Sequence, residues 1–330
     1  MKALLCKAFG TADSLVLEDV ASPTPGRGEI LIDVHMAGVN FPDTLLIEGK
    51  YQIKPPFPFA PGSEAAGVVV TVGAGVSHLH PGDKVMALTG WGSFAEQVVV
   101  RADQVMPMPA SMDFASAASF GVTYGTAMHA LCQRARLQKG ETLLVLGASG
   151  GVGLAAVEIG RAMGAHVIAA ASSKQKLEVA RAAGAHELIC YGHGSLKEQV
   201  NALTEGRGAD VIVDPVGGDQ FDQAIRAIAW NGRLLVIGFA SGRIPQLAVN
   251  LVLLKGVAVM GVYWGLFTQH QPQENQANYR KLFAWHAEGT LKPLVSQRYA
   301  LARAGDAIEA LRQRKAVGKL VVEVRPAMTG

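Results

Sequence analysis

The chain has 330 residues, enough for two ordinary domains, with 49% hydrophobic and only 17% charged residues. A formal net charge of +3 gives no basic surface for nucleic acid, and no apolar run is long and clean enough to read as a membrane span. Cys6, Cys132 and Cys190 are too few and too scattered for a disulfide framework or a paired-cysteine metal motif, and they fit a reducing compartment. The opening Met1-Lys2-Ala3-Leu4-Leu5-Cys6 is too short for a signal peptide, so a soluble, cytoplasmic protein is expected.

Taken in chain order, residues 29–37, 64–72 and 94–100 read as short strands between glycines and prolines, and Pro81-Gly82-Asp83-Lys84-Val85 is a turn feeding another strand. Strands this short and this often interrupted point to a small β-barrel or sandwich. Near Ser111 the texture changes, and 114–135 is alanine-rich with apolar residues at helical spacing, reading as one or two helices. Alternating units follow. Strand 142–146 leads to a helix starting near Gly153, strand 165–170 to helix 174–183, strand 187–190 to helix 195–203, and strand 209–214 to helix 220–229, before a strand at 233–238. This alternation, with near-continuous apolar strands, implies an α/β unit whose parallel sheet is covered on both faces. Beyond Val259 come polar-faced helices at 275–286 and 304–314 and a closing strand at 318–324. The α/β half thus lies in the middle of the sequence, and the two flanks are expected to build the other domain together. The cluster Arg312-Gln313-Arg314-Lys315 reads as a solvated helix end.

The strand 142–146 runs straight into Gly147-Ala148-Ser149-Gly150-Gly151-Val152-Gly153, with the helix-prone Leu154-Ala155-Ala156-Val157-Glu158-Ile159 behind it. A strand, a glycine-rich turn and a helix N-terminus are what a dinucleotide pyrophosphate needs: a tight turn, close backbone approach and convergent N–H groups. Ser149, Gly150, Gly151 and Val152 are the candidates for that contact. An NAD site carries a carboxylate at the end of the next strand, but here that strand ends in Ala171-Ser172-Ser173-Lys174-Gln175-Lys176. Hydroxyls and ammonium groups bind a 2′-phosphate that a carboxylate would repel, so NADPH is the expected cofactor. Ser172 or Ser173 also suits the cap of the following helix, and the two roles are compatible.

In this order, Ala37-Gly38-Val39-Asn40-Phe41-Pro42-Asp43, Pro61-Gly62-Ser63-Glu64-Ala65-Ala66-Gly67, Pro81-Gly82-Asp83-Lys84-Val85, Gly125-Thr126-Ala127 and the glycine loop resemble the zinc-free quinone oxidoreductases (ζ-crystallin-like) of the medium-chain dehydrogenase/reductase superfamily over nearly the whole chain. The resemblance implies a GroES-like β-barrel catalytic domain over 1–122, a doubly wound Rossmann domain over 123–262, and a C-terminal segment, 263–330, returning to the barrel. It also implies an active cleft between the domains and a homodimer formed through the sheet edge at 257–262.

Zinc-dependent relatives carry cysteine at Asn40 and histidine at Ser63, and a four-cysteine lobe that this chain lacks, since no cysteine lies between Cys6 and Cys132, so no metal is expected. Without a Lewis acid, hydride delivery to a quinone or enone is the easier chemistry. By analogy Asn40 donates to the substrate carbonyl, Tyr51 donates to or protonates the product, and Asp43 orients Asn40 or caps a turn. Tyr51 reads equally as a packing residue beside Pro55-Pro56-Phe57-Pro58, and Leu45 stands where several relatives have a second tyrosine. The resemblance further assigns Thr123, Thr126, Phe239, Ser241, Val262 and Trp264 to the nicotinamide end. It assigns Ser172, Ser173, Lys176 and Tyr191 to the 2′-phosphate, with Arg314 as a distant contributor. Trp264 and Phe267 also suit interface core. The alternatives are an enoyl-thioester or alkenal double-bond reductase and a non-catalytic NADPH-binding structural or RNA-binding protein. Mild charge argues against RNA.

Overall fold

The computed structural model describes residues 1–325. In chain order, β1 (Lys2–Leu5), β2 (Val16–Asp19) and β3 (Glu29–Val39) precede the short helix α1 (Phe41–Ile47). Then come β4 (Glu64–Val72), β5 (Lys84–Leu88), β6 (Gln97–Arg101) and β7 (Val105–Pro107). Helix α2 (Phe114–Met128) continues as a π-helical segment, His129–Arg134. The middle of the chain alternates: β8 (Thr142–Leu146), α3 (Gly151–Ala162), β9 (His166–Ala171), α4 (Lys174–Ala182), β10 (Glu187–Cys190), α5 (Leu196–Leu203), β11 (Ala209–Asp214), α6 (Gly218–Ala227) and β12 (Ile228–Val236). After α7 (Val249–Lys255), β13 (Ala258–Gly261), α8 (Trp264–His270) and α9 (Pro272–Ala287), the chain closes with β14 (Val295–Ala300), α10 (Ala304–Arg312) and β15 (Lys319–Glu323). Among the described residues no helix is long and apolar enough to cross a membrane.

Two compact units result, one of Met1–Val122 with the segment from Pro293 onward, the other of Thr123–Lys292. In the first unit a seven-stranded sheet is organised around β3, which pairs antiparallel with β4, β6 and β15. Alternate residues of β3, Ile30, Ile32 and Val34, are fully buried with Leu4, Phe94, Ile308 and Leu320. Each such aliphatic side chain contributes about 1.5–3 kcal/mol by leaving water. The register Leu320↔Val39 joins the end of the chain to its beginning and sets Lys319 beside Asn40.

The second unit is a six-stranded parallel sheet in the order β10-β9-β8-β11-β12-β13. The chain winds outward from β8 through β9 to β10, then returns to the other side of β8 for β11. That reversal opens a crevice at the carboxyl ends of β8 and β11, where such sheets bind ligands. All five residues of β8 are buried, as a strand covered on both faces requires.

Residues 263–292, expected with the returning segment, pack within the second unit. Trp264, Phe267, Tyr279 and Leu282 are buried, Asn278 and Gln133 exchange amide hydrogen bonds of 3.0 and 3.1 Å, and Lys292 N–H donates to the Glu158 carboxylate at 3.2 Å. The return therefore starts at Pro293, once these aromatic anchors are spent.

Candidate active site and nucleotide site

The first unit encloses one group of charged and polar side chains. β3 ends at Val39, and Asn40 takes the extended conformation that starts α1. Pro42 fits the first turn, where its missing N–H costs nothing. The Asp43 carboxylate reaches back to accept from Asn40 N–H at 2.7 Å, the reciprocal half of a capping box. So Asp43 orients Asn40 and caps the turn.

Glu64 opens β4 and is 1% exposed. Its Oε2 accepts from Val122 N–H at 2.9 Å, and its Oε1 accepts from Asn40 Nδ2 and from Lys319 Nζ, both at 2.8 Å. Gly38 makes room for it: a Cβ there would overlap the Ala118 carbonyl and sit 2.5 Å from Glu64 Oε1. Lys319 is 6% exposed and spends all three ammonium protons, on Glu64 Oε1, on Asn40 Oδ1 at 2.8 Å and on the Val39 carbonyl at 3.0 Å. Ser63 accepts from Asn40 Nδ2 at 3.3 Å.

Two consequences follow. An ammonium group can only donate, so it turns the Asn40 amide oxygen toward itself and sends both amide hydrogens to Glu64 and Ser63. The expected donation from Asn40 to a carbonyl therefore meets an amide that already has its partners. Burial pushes the Asp43 carboxyl up to about 7, against the opposing pull of Asn40 N–H and the Lys319 ammonium.

Tyr51 is half-buried and packs against the apolar core of this unit, and its N–H donates to Leu45 O at 3.2 Å. Arg314 also belongs to this unit, in the turn after α10 at a φ of 56°. Lys319 was not among the residues singled out by sequence. Its only signal was a lysine opening an otherwise apolar closing strand, which reads as an edge residue.

In the second unit β8 delivers the glycine loop to α3. Gly150 is the cap residue, and the N–H groups of the first helical turn have no partner within the helix. At Gly153 a Cβ would collide with the Gly147 carbonyl, whereas at Gly150 the nearest atom would be 3.5 Å away. One glycine is required by internal packing, and the other leaves the backbone open to a ligand.

Ser172 is exposed at the end of β9, and Ser173 caps α4 by accepting from Lys176 N–H at 3.3 Å. Tyr191 N–H donates to Ala171 O at 2.9 Å, setting that residue beside the Ser172 turn. Its hydroxyl accepts from Gly147 N–H at 2.8 Å, so Tyr191 braces the glycine loop. Burial, helped by the Asp214 carboxylate, pushes the Tyr191 hydroxyl up, so it stays protonated.

At the carboxyl end of β11, Asp214 Oδ1 accepts from Val216 and Gly217 N–H, both at 2.8 Å. Ser241 N–H donates to Val216 O, and Phe239 packs where a Gly217 Cβ would be. The 239–243 loop is thus held at the crevice. Thr123 and Thr126 are buried on α2, and Val262 N–H donates to Val236 O. Trp264 is buried against Gly125 with its indole N–H on Asn275 Oδ1 at 3.2 Å, which makes it core of this unit.

Two family descriptions match: an alcohol dehydrogenase GroES-like domain over residues 26–110 and a zinc-binding dehydrogenase over 151–284. The chain is 39% identical over 328 residues to a quinone oxidoreductase-like protein 2 homolog of Nematostella vectensis, covering 98% of this chain and 89% of that one. It is 33% identical to a quinone oxidoreductase of Rattus norvegicus, over 98% of this chain and 97% of the other. The Escherichia coli quinone oxidoreductase solved in complex with NADPH superposes with a TM-score of 0.92 at 27% identity, over 98% of this chain and 100% of that one.

Proposed function

As a member of the quinone oxidoreductase-like family of the medium-chain dehydrogenase/reductase superfamily, this chain is an NADPH-dependent oxidoreductase, and we propose that it reduces quinones and similarly activated carbonyl acceptors without a metal ion. When bound, NADPH supplies a hydride, which with one proton from solvent turns a quinone into its hydroquinone and leaves NADP⁺.

The residues present fit that cofactor. The open backbone at Gly150 and the first turn of α3, with Ser149, Gly151 and Val152, suit the pyrophosphate. Ser172, Ser173 and Lys176 suit a 2′-phosphate, with Tyr191 holding their turn against the loop. Thr123, Thr126, Phe239, Ser241 and Val262 serve the nicotinamide end, and Trp264 supports them from the core.

The observation that carries the metal-free reading is the Lys319 ammonium, 2.8 Å from both Glu64 and Asn40. The donor set does not fit zinc. Amide and hydroxyl are poor ligands, and the one nearby carboxylate of β4 already holds a cation. Among the described residues no three His, Cys, Asp or Glu side chains gather into a metal-binding group. Without a Lewis acid to polarise a carbonyl, an acceptor whose reacting carbon is already activated is favoured, which describes quinones and enones better than simple ketones.

We propose further that two copies pair through β13, one of the two edge strands of the parallel sheet. Nearby, Trp230, Leu253 and Leu254 are exposed at 70%, 80% and 67%, an apolar surface that a partner copy would cover.

The test is NADPH oxidation by purified protein against an ortho-quinone, a para-quinone, a 2-alkenal and an enoyl-CoA, with NADH in parallel. Turnover of the quinones with NADPH well above NADH is expected. Turnover confined to the alkenal or the enoyl-CoA would move the protein to the double-bond reductases. NADPH binding with no turnover would overturn the catalytic reading.

A further inference from the structure

Three of the four groups in the buried cluster have no proton left to offer. The Lys319 ammonium spends its three donors on Val39 O, Asn40 Oδ1 and Glu64 Oε1. The Asn40 amide spends its two on Glu64 Oε1 and Ser63 Oγ. Glu64 is engaged at both oxygens. Ser63 differs. Its carbonyl accepts from Thr89 and Gly90 N–H at 2.9 and 3.3 Å, which pins its backbone, and its hydroxyl oxygen accepts from Asn40. Among the described residues nothing accepts the Ser63 hydroxyl proton, and the side chain is only half-buried where its neighbours are fully buried.

We propose that Ser63 is the hydrogen-bond donor to the acceptor's developing oxyanion, and that Lys319 is the positioning residue that, through the Asn40 amide, turns the Ser63 hydroxyl outward. The order of the relay is fixed by chemistry. Lys319 can only donate, so Asn40 presents its oxygen to Lys319 and its hydrogens to Glu64 and Ser63. Ser63 Oγ then accepts on one of its two lone pairs, and its proton, with no acceptor in the cluster, is directed away from it. A donor held in this way needs no rearrangement when charge develops on the acceptor oxygen, which is where such a hydrogen bond lowers a barrier most. No bond to Ser63 forms or breaks; the hydride goes from NADPH to the acceptor and the final proton comes from solvent. This inference rests on the proposed reduction of a carbonyl acceptor.

The experiment compares wild type with Ser63→Ala, Ser63→Thr, Lys319→Met, Lys319→Arg and Ser63→Ala/Lys319→Met, using 1,2-naphthoquinone with NADPH. Ser63→Ala is expected to lower kcat by about a hundredfold with the KM for NADPH unchanged, and Ser63→Thr, which keeps the hydroxyl, to restore most of it. Lys319→Met is expected to lower kcat to a similar degree, and the double variant no further than the worse single one. Lys319→Arg, whose planar fork cannot meet the same three acceptors, is expected to fall between and carries the test if Lys319→Met does not accumulate as folded protein. Ser63→Ala with kcat within about twofold of wild type, or losses that multiply in the double variant, overturns the proposal.

A second readout does not depend on turnover. The Asn40 side-chain amide resonances, in protein labelled at asparagine, should exchange slowly with solvent in wild type and fast in Lys319→Arg or Lys319→Met. Equal exchange overturns the positioning role. A wild type that reduces no acceptor sinks the functional reading, and the amide exchange then decides the role of Lys319 by itself.

Discussion

Replacing Asp43 by asparagine should change how stability depends on pH in a way that isolates this buried carboxyl. In the folded protein burial raises it to about 7 from an ordinary value of 3.8. Below about pH 4 the group is protonated in both folded and unfolded chains and contributes nothing to the pH dependence. Between these values the unfolded chain releases the proton while the native state keeps it, so stability falls as pH rises. Above about pH 7 both states are ionised and the full cost is present. A displacement of about 3 pH units, at about 1.4 kcal/mol each, makes that cost about 4 kcal/mol. Asp43→Asn keeps an oxygen to accept from Asn40 N–H at the same place, so it removes the titration and leaves the turn. Urea denaturation of both proteins at steps from about pH 4 to about pH 8 gives the difference between their stabilities, in which the other groups cancel. That difference should move in favour of the variant by roughly 3–4 kcal/mol across the range. A flat difference, or one moving in favour of wild type, would refute the reasoning and mean that the Lys319 ammonium and Asn40 N–H hold Asp43 ionised.

Three further outcomes are expected. Gly153→Ala puts a methyl group into the Gly147 carbonyl and should raise the Kd for NADPH at least tenfold, measured by the cofactor's fluorescence, whereas an unchanged Kd would mean that the loop is not the pyrophosphate site. Ser172→Asp places a carboxylate at the end of β9 and should lower kcat/KM with NADPH about a hundredfold while leaving NADH within a few-fold, and equal losses for both cofactors would count against a 2′-phosphate there. Leu253→Glu/Leu254→Glu should shift sedimentation from a dimer to the 34.7 kDa chain, and a double variant that stays at the wild-type mass would exclude α7 from the interface.

The parallel sheet was legible because its signals are local. β8, β9 and β11 are near-continuous apolar runs, and each hands over to a helix within a few residues, so pattern and fold agree element by element. Asn40 was legible because it stands in a short motif, whereas Ser63 and Glu64, in a second motif, read only as positions without a zinc site. What those motifs could not reveal was the cation between them. Lys319 lies 255 residues from Glu64 in sequence and reaches it only through the pairing of β15 with β3. Nor could those motifs show that the Asn40 amide is committed, its oxygen to Lys319 and its hydrogens to Glu64 and Ser63. The boundary near Pro293 was obscured for a similar reason. Trp264 read as a possible interface residue, and only its packing at Gly125 of α2 shows which unit owns it. Helix α7 escaped notice because Val249, Leu253 and Leu254 are exposed, so its apolar residues do not trace a buried face.

The measurement that bears most directly on the central claim is a single anaerobic turnover. Enzyme saturated with NADPH deuterated at the transferable position is mixed with an equimolar para-quinone, with no metal present beyond trace and a chelator added. NADPH loss and hydroquinone formation should match one to one, with a primary isotope effect on the rate and no dependence on the chelator. Quinone left intact beside bound, unoxidised NADPH, or activity that disappears with the chelator and returns with zinc, would contradict it.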